Sequence, residues 1–280
     1  MRTIHYRGPL SSCNFACPYC PFAKAWEPPE VLEADRAGLS RFVEWAEVQH
    51  DLGVLFTPWG EALVRSWYRD AMVRLSRAPG VRRVAAQTNL SMKLDWLGEA
   101  DLDTVALWAT WHPGEVGMDR FLRQCERLRA LGVRHSVGVV GLLEHLDAIE
   151  ALRAALPRST YVWVNAYKRE ADYYADADRA RIRAVDPRFD DNRVYPSLDR
   201  ACRGGESHFS VDGEGTVRRC HFIGAPLGNL YVDGLDALSA PRPCTNDVCR
   251  CHIGYVHMPE LGLLDVYGDG LLERIPAGWA

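Results

Sequence analysis

CNFACPYC, at residues 13–20, places three cysteines within eight residues and an aromatic residue directly before the last of them. It follows the apolar stretch RTIHY, a predicted strand that starts at about residue 3. Three thiolates this close together suit a closed zinc site that a distant Cys or His completes. They equally suit three corners of an iron–sulfur cluster whose fourth position stays open. The rest of the sequence has to distinguish these two kinds of metal site.

The composition describes a chain that can bury a large core. It has 280 residues, of which 48% are hydrophobic, and its formal net charge is −4. This weakly acidic balance predicts no nucleic-acid partner and no binding to an anionic membrane surface. The N-terminal stretch MRTIHYRGPL has no signal-peptide core, and no apolar run approaches the ~20 residues of a membrane span. We therefore expect a cytoplasmic protein, built as one large domain or a domain with an appendage.

Short apolar strands alternate with amphipathic helices from the N-terminus to about residue 185. Six β-α units in series imply a parallel sheet with right-handed crossovers, and six are too few for a complete eight-stranded barrel. We predict an α/β fold, an open, partial (β/α)6 barrel over residues 1–185, with its chemistry at the carboxyl ends of the strands. The predicted strands are RTIHY, LGVLFT (52–57), VRRVAAQT (81–88), TVALWAT (104–110), RHSVGVV (134–140) and TYVWVNAY (160–167).

Nine cysteines are many for a protein in a reducing compartment, where metal ligation is a better explanation than disulfides. Cys125 shares one apolar helical stripe with Phe121 and Leu128, so we expect a buried structural thiol there. The remaining eight form two groups that are far apart in the sequence. The front group is Cys13, Cys17 and Cys20, and the back group is Cys202, Cys220, Cys244, Cys249 and Cys251.

The pattern of the chain changes after residue 186. A polar, proline-containing connector at residues 186–197 precedes SHFSVDGEGTVRRCHF (207–222), which predicts a β-hairpin around DGEG. Cys202, Gly215 and Cys220 fall at the spacing C-x12-G-x4-C. We predict a small extension of β-hairpin and short helices over residues 186–280.

The front motif, placed after a first strand and before a series of β-α units, resembles the C-x3-C-x-aromatic-C signature of the radical SAM superfamily. The resemblance implies a partial barrel that holds a 4Fe–4S cluster on Cys13, Cys17 and Cys20. The open iron would bind S-adenosylmethionine, whose one-electron cleavage gives a 5′-deoxyadenosyl radical that abstracts hydrogen from a substrate. It also implies an external electron donor such as flavodoxin or ferredoxin.

Other positions carry over from the superfamily one at a time. Tyr19 matches the aromatic residue near the adenine. PWGEAL, after the second strand, resembles the GGE motif that receives the methionine amino group; Gly60 and Glu61 match, while Trp59 replaces the first glycine. A helix-start acid is the structural alternative for Glu61. Gly141 and Glu144 match the tail of an adenine-binding stretch in VGVVGLLE, while Val137 replaces its first glycine. At other strand ends, Asn89, Thr110, His112, Asn165 and Lys168 should face the ligand, or make ordinary strand-end hydrogen bonds.

The back cysteines resemble a Twitch or SPASM extension, whose opening is C-x(9–15)-G-x4-C around a hairpin. The resemblance implies one auxiliary 4Fe–4S cluster, with Cys202 and Cys220 as two ligands. The other two come from Cys244, Cys249 and Cys251, with Cys249 and Cys251 favoured and His252 as a possible substitute. The structural alternative is a zinc knuckle that staples the C-terminal tail.

These expectations combine into one functional hypothesis. The chain is expected to be a radical SAM enzyme that acts on a peptide or a small biosynthetic intermediate, for oxidation or crosslinking. Because the first strand starts at about residue 3, we expect no peptide-recognition domain before the barrel. The alternative from another class is a non-enzymatic zinc-binding or iron–sulfur electron-carrier protein.

Overall fold

The structure is a computed structural model that describes residues 1–22 and 26–279. Its strands and helices alternate as far as residue 185, and shorter elements follow. The strands are β1 (Arg2–Tyr6), β2 (Leu52–Phe56), β3 (Val81–Thr88), β4 (Val105–Trp111), β5 (Arg134–Gly141), β6 (Val162–Ala166), β7 (Tyr195–Pro196), β8 (His208–Val211), β9 (Thr216–Arg218), β10 (Pro226–Asn229) and β11 (Val248–Cys249). The α-helices are α1 (Pro29–Glu47), α2 (Ser66–Ser76), α3 (Met118–Leu131), α4 (Leu146–Ala155), α5 (Asp176–Val185), α6 (Leu235–Leu238), α7 (His252–Tyr255) and α8 (Leu263–Tyr267).

Within the described residues, nine strands form one sheet in the order β10-β9-β8-β1-β2-β3-β4-β5-β6. The pairs from β1 to β6 are parallel, which is the predicted series. β6 has no second neighbour in this order and the far side of β1 is occupied by β8, so the sheet does not close on itself. The prediction of an open, partial barrel is confirmed.

The helices cover one face of the sheet because their apolar stripes match the outward side chains of the strands. The apolar stripes of these helices are buried: Phe42 in α1, Tyr68 in α2, and Ile149 in α4 are at most 1% exposed. Cys125 of α3 is buried in the same core, as expected for a structural thiol.

One crossover differs from the prediction. The connection between β3 and β4 contains the 3-10 helix Asp95–Glu99, and in the described structure no α-helix lies there. This connection carries Gly98 and four acidic residues between positions 95 and 103, and within that stretch only Leu97 is a buried apolar residue, so it has no amphipathic stripe of three turns.

The extension continues the sheet of the barrel. β8 pairs in parallel with β1, and β9 and β10 add to it in antiparallel fashion, which forms the predicted hairpin. The C-terminal segment then covers the second face of the sheet, where Ile253 and Leu272 pack with Trp108 and Trp163. The division of the chain at residue 185 stays a prediction. No described helix is both long enough and apolar enough to cross a bilayer.

Candidate functional site

The front cysteine loop lies at the carboxyl edge of β1, and the segment after β2 holds its backbone. The amide of Gly60 donates to the carbonyl of Leu10 (3.1 Å), and the amide of Glu61 donates to the carbonyl of Ser12 (3.0 Å). A Cβ on Gly60 would overlap the Ser12 carbonyl, so only glycine allows this approach. The match of PWGEAL to a cofactor-binding motif therefore coincides with a direct contact between this segment and the cysteine loop.

Glu61 has a structural task in addition to any contact with a ligand. Its carboxylate accepts hydrogen bonds from the Leu63 amide (3.1 Å), the Thr88 hydroxyl (2.8 Å) and the Asn89 amide (2.6 Å). It caps the 3-10 helix Ala62–Val64, as the helix-start alternative expected. Burial raises the pKa of Glu61 to about 7, although these three hydrogen bonds act in the opposite direction. The side chain thus ties the ends of β2 and β3 together.

Residues at the ends of β3 and β4 surround the three thiols. The amide nitrogen of Asn89 lies 4.0 Å from Sγ of Cys13. Nδ1 of His112 lies 3.4 Å from Sγ of Cys17 and 2.8 Å from the hydroxyl of Tyr19. The rings of Tyr19 and His112 stack with centroids 5.9 Å apart. The structure therefore brings both strand-end residues to the cysteine loop, and a contact of either with a ligand stays a prediction.

Other sequence-predicted positions lie farther along the same edge. Gly141 ends β5, and its carbonyl accepts a hydrogen bond from the Tyr174 hydroxyl (2.6 Å), so its missing side chain makes room for that ring. Thr110 is half-buried near the end of β4. Asn165, in β6, accepts a long hydrogen bond from Asn192 (3.3 Å). The contacts of Gly141 and Asn165 lie within the protein. Ligand contacts at these two positions and at Thr110 stay predictions.

Four of the five back cysteines line one cavity of about 320 Å³. Gly254 in α7 forms part of its wall: a Cβ there would lie 2.8 Å from Sγ of Cys249 and 4.0 Å from Sγ of Cys220. Burial raises the pKa of both thiols to about 12, so a bound metal has to displace their protons. The four lining cysteines are Cys202, Cys220, Cys244 and Cys249.

Cys251 is not part of this lining. It packs instead against the apolar cluster on the inner face of the barrel, which includes Trp108 and Trp163. The chain changes from strand β11 to helix α7 between residues 249 and 252. Cys251 contacts this apolar cluster, yet it still lies close enough to Cys220 and Cys249 for its negative charge to add to the effect of burial in raising the pKa of both thiols.

In the described part of the chain, no three His, Cys, Asp or Glu side chains converge closely enough to hold a single metal ion. Three thiols on one loop, and four around a cavity of this size, do fit the donor sets of cubane clusters.

Two residues at the site were not identified from the sequence. Arg7 directly follows β1 and is 9% exposed, with its guanidinium 4.3 Å from the Trp59 ring. The sequence feature that could have identified Arg7 is a cationic residue directly after the first predicted strand. No sequence feature indicates Gly254, because its importance comes only from its proximity to the thiols of Cys249 and Cys220 in the folded chain.

No protein-family model matches this sequence, and no curated protein sequence matches it. Solved structures do match. The structure of anSMEcpe with bound AdoMet (S-adenosylmethionine) and the Cp18Cys peptide superposes with a TM-score of 0.55 and 15% identity, over 84% of this chain and 79% of that chain.

SuiB of Streptococcus suis bound to S-adenosylmethionine superposes with a TM-score of 0.50 and 14% identity, over 85% of this chain and 65% of that chain. SuiB bound to its precursor peptide SuiA gives a TM-score of 0.52 and 12% identity, over 85% and 64% of the two chains. At such identities the likeness concerns the fold. The chain has the fold of these S-adenosylmethionine-binding proteins, as the resemblance to the radical SAM superfamily predicts.

Proposed function

We propose that this protein is a radical SAM enzyme whose front cluster is held by Cys13, Cys17 and Cys20. The observation that carries the proposal is the location of the cysteine loop. The loop lies at the carboxyl edge of the sheet, where its backbone accepts hydrogen bonds from Gly60 and Glu61. The fold is one shared with proteins solved with AdoMet. When bound, the cluster and S-adenosylmethionine supply the radical that abstracts hydrogen from the substrate.

The residues of this chain would orient and shield that chemistry. Gly60 allows the close approach of two loops, and Glu61 fixes the segment by three hydrogen bonds. Tyr19, Asn89, Thr110 and Gly141 are proposed to contact S-adenosylmethionine along the strand ends. An electron donor such as flavodoxin or ferredoxin would deliver electrons from outside.

An auxiliary 4Fe–4S cluster is proposed on the four cysteines that line the back cavity, Cys202, Cys220, Cys244 and Cys249. This assignment uses Cys244 where the sequence favoured Cys251. A fully ligated cluster supplies an electron acceptor, which favours a net oxidation or an oxidative crosslink over a rearrangement.

A peptide is the proposed substrate class, with a small biosynthetic intermediate as the second possibility. Two of the structural neighbours were solved with peptides, Cp18Cys in one and the precursor SuiA in the other. A cytoplasmic location is proposed because these clusters need a reducing compartment.

Metal analysis after anaerobic reconstitution tests the ligand assignment. The wild type should hold roughly 8 irons per chain, the sum for two cubanes. Cys251→Ala should keep roughly 8, whereas Cys244→Ala should fall to roughly 4. Retention of all iron by Cys244→Ala together with loss in Cys251→Ala would reverse the assignment. Stoichiometric zinc without iron or sulfide would favour the non-enzymatic alternative.

A further inference from the structure

Two cations flank the open side of the barrel and have no acidic partner among the residues that the structure describes. Arg7 follows β1, and Lys168 follows β6, the two ends of the parallel series. Neither residue takes part in any ion pair formed by the described residues. The positive charges at this opening therefore lack a counter-charge from any carboxylate in the described part of the chain.

Arg7 is held between the barrel and the extension. Its backbone amide donates to the carbonyl of Val211 in β8 (2.8 Å). The guanidinium makes one long hydrogen bond to the Thr57 hydroxyl (3.4 Å), and its Nε has no partner among the described atoms. The rings of Trp59 and Phe22 lie 4.3 and 5.5 Å from it. A buried cation in such surroundings is costly unless an anion lies nearby.

Lys168 contacts the back cysteine segment directly. Its ammonium donates to the carbonyl of Arg250 (2.7 Å), the residue between Cys249 and Cys251, and to the carbonyl of Arg193 (3.3 Å). It also lies 5.3 Å from the centre of the Tyr255 ring in α7. The sixth strand of the barrel is thereby joined to the segment that carries two of the back thiols.

The back cysteines supply the negative charge near both cations, while Arg274 and Arg250 add positive charge near Lys168. Burial lowers the pKa of Arg7 to about 10, while negative charge on Cys251 and Cys220 would raise it. Burial lowers the pKa of Lys168 to about 8, and negative charge on Cys251 and Cys249 acts in the opposite direction. Two of these thiols, Cys220 and Cys249, line the cavity assigned to the auxiliary cluster.

We infer that Arg7 and Lys168 are the counter-charges of the auxiliary cluster and raise its reduction potential. The inference rests on the proposed function, because it needs a cluster on the four cysteines of the back cavity. A cubane on four thiolates carries net negative charge, and reduction adds one more. A nearby fixed cation stabilises the reduced form more than the oxidised form, so the potential rises.

Redox titration of the reconstituted full-length protein, followed by electron paramagnetic resonance at pH 7, tests this inference. Added S-adenosylmethionine alters the signal of the front cluster, which separates the two clusters. Arg7→Gln and Lys168→Met should each shift the auxiliary potential to more negative values. The matched surface variants Arg120→Gln and Lys93→Met should leave it unchanged, because both side chains are exposed and far along the chain from the back cysteines.

Lys168→Arg separates charge from structure, since it keeps the positive charge and should restore most of the potential. Auxiliary potentials of Arg7→Gln and Lys168→Met equal to those of the surface variants would overturn the inference. If Arg7→Gln loses iron, the Lys168 variants decide alone. A wild type without any second, S-adenosylmethionine-independent signal would instead refute the auxiliary cluster of the proposed function.

Discussion

Gly254→Ala is the substitution that tests the back cavity most sharply. Gly254 lies inside helix α7 and has an ordinary helical backbone, where alanine is favoured over glycine by about 1 kcal/mol. On backbone grounds alone, the change should stabilise the protein. The added Cβ, however, would lie 2.8 Å from Sγ of Cys249 and 4.0 Å from Sγ of Cys220, in a cavity of about 320 Å³.

Overpacking a filled site costs about 1–3 kcal/mol, and the proposed cluster would fill the space that the methyl group would enter. We therefore expect Gly254→Ala to lose the auxiliary cluster, so that iron falls from roughly 8 to roughly 4 per chain. Gly224→Ala is the matched control, because nothing lies within 4 Å of its Cβ position in the same extension. Iron and sulfide analysis after reconstitution measures the effect. A Gly254→Ala protein with the full iron content of the control would refute the assignment of this cavity.

Three further predictions address the front loop and the core. Gly60→Ala should impair assembly of the front cluster, since its Cβ would overlap the Ser12 carbonyl, while Gly98→Ala, with open space around it, should assemble normally; equal iron in both would contradict this. Glu61→Gln should lower Tm, because the new side-chain NH₂ group would face one of the donors that the carboxylate now accepts from; this costs about 1–3 kcal/mol of the free energy of unfolding. An unchanged Tm with weaker S-adenosylmethionine binding would instead indicate direct contact with the cofactor. Burial lowers the pKa of His208 to about 4 from an ordinary value of 6.5. Between pH 6.5 and pH 4 the unfolded state therefore binds more protons than the folded state, so the free energy of unfolding falls as the pH falls through this range, by up to roughly 3 kcal/mol. Urea unfolding at pH 7 and pH 4.5 measures this loss, and a stability that does not decrease at pH 4.5 would contradict it.

The barrel could be predicted from the sequence because its signals are local. Each of the six parallel strands is an apolar run of a few residues with a turn on either side, and the observed bounds differ from the predicted ones by at most two residues. The carboxyl-edge position of Asn89 and His112 followed from the same reasoning, because parallel strands bring their ends to one edge. Each of these inferences needed only the order of strands along the chain.

The missed features depend on contacts between distant parts of the chain. The parallel pairing of β8 with β1 joins residues about 205 positions apart, and no periodicity encodes it. The C-terminal segment packs against Trp108 and Trp163 on the inner face of the barrel, and no local pattern in either segment encodes this contact. The spacing C-x4-C-x-C likewise could not show that Cys244 and Cys249 share a cavity while Cys251 does not, because side-chain direction there depends on the change from strand to helix.

Formation of 5′-deoxyadenosine tests the central claim most directly. The reconstituted protein would be incubated anaerobically with S-adenosylmethionine and dithionite, and 5′-deoxyadenosine quantified by chromatography. We predict product from the wild type and none from the variant with Cys13, Cys17 and Cys20 all replaced by Ala, which should still hold the roughly 4 irons of the auxiliary cluster. Product from the triple variant, or none from a wild type that holds roughly 8 irons, would contradict the claim.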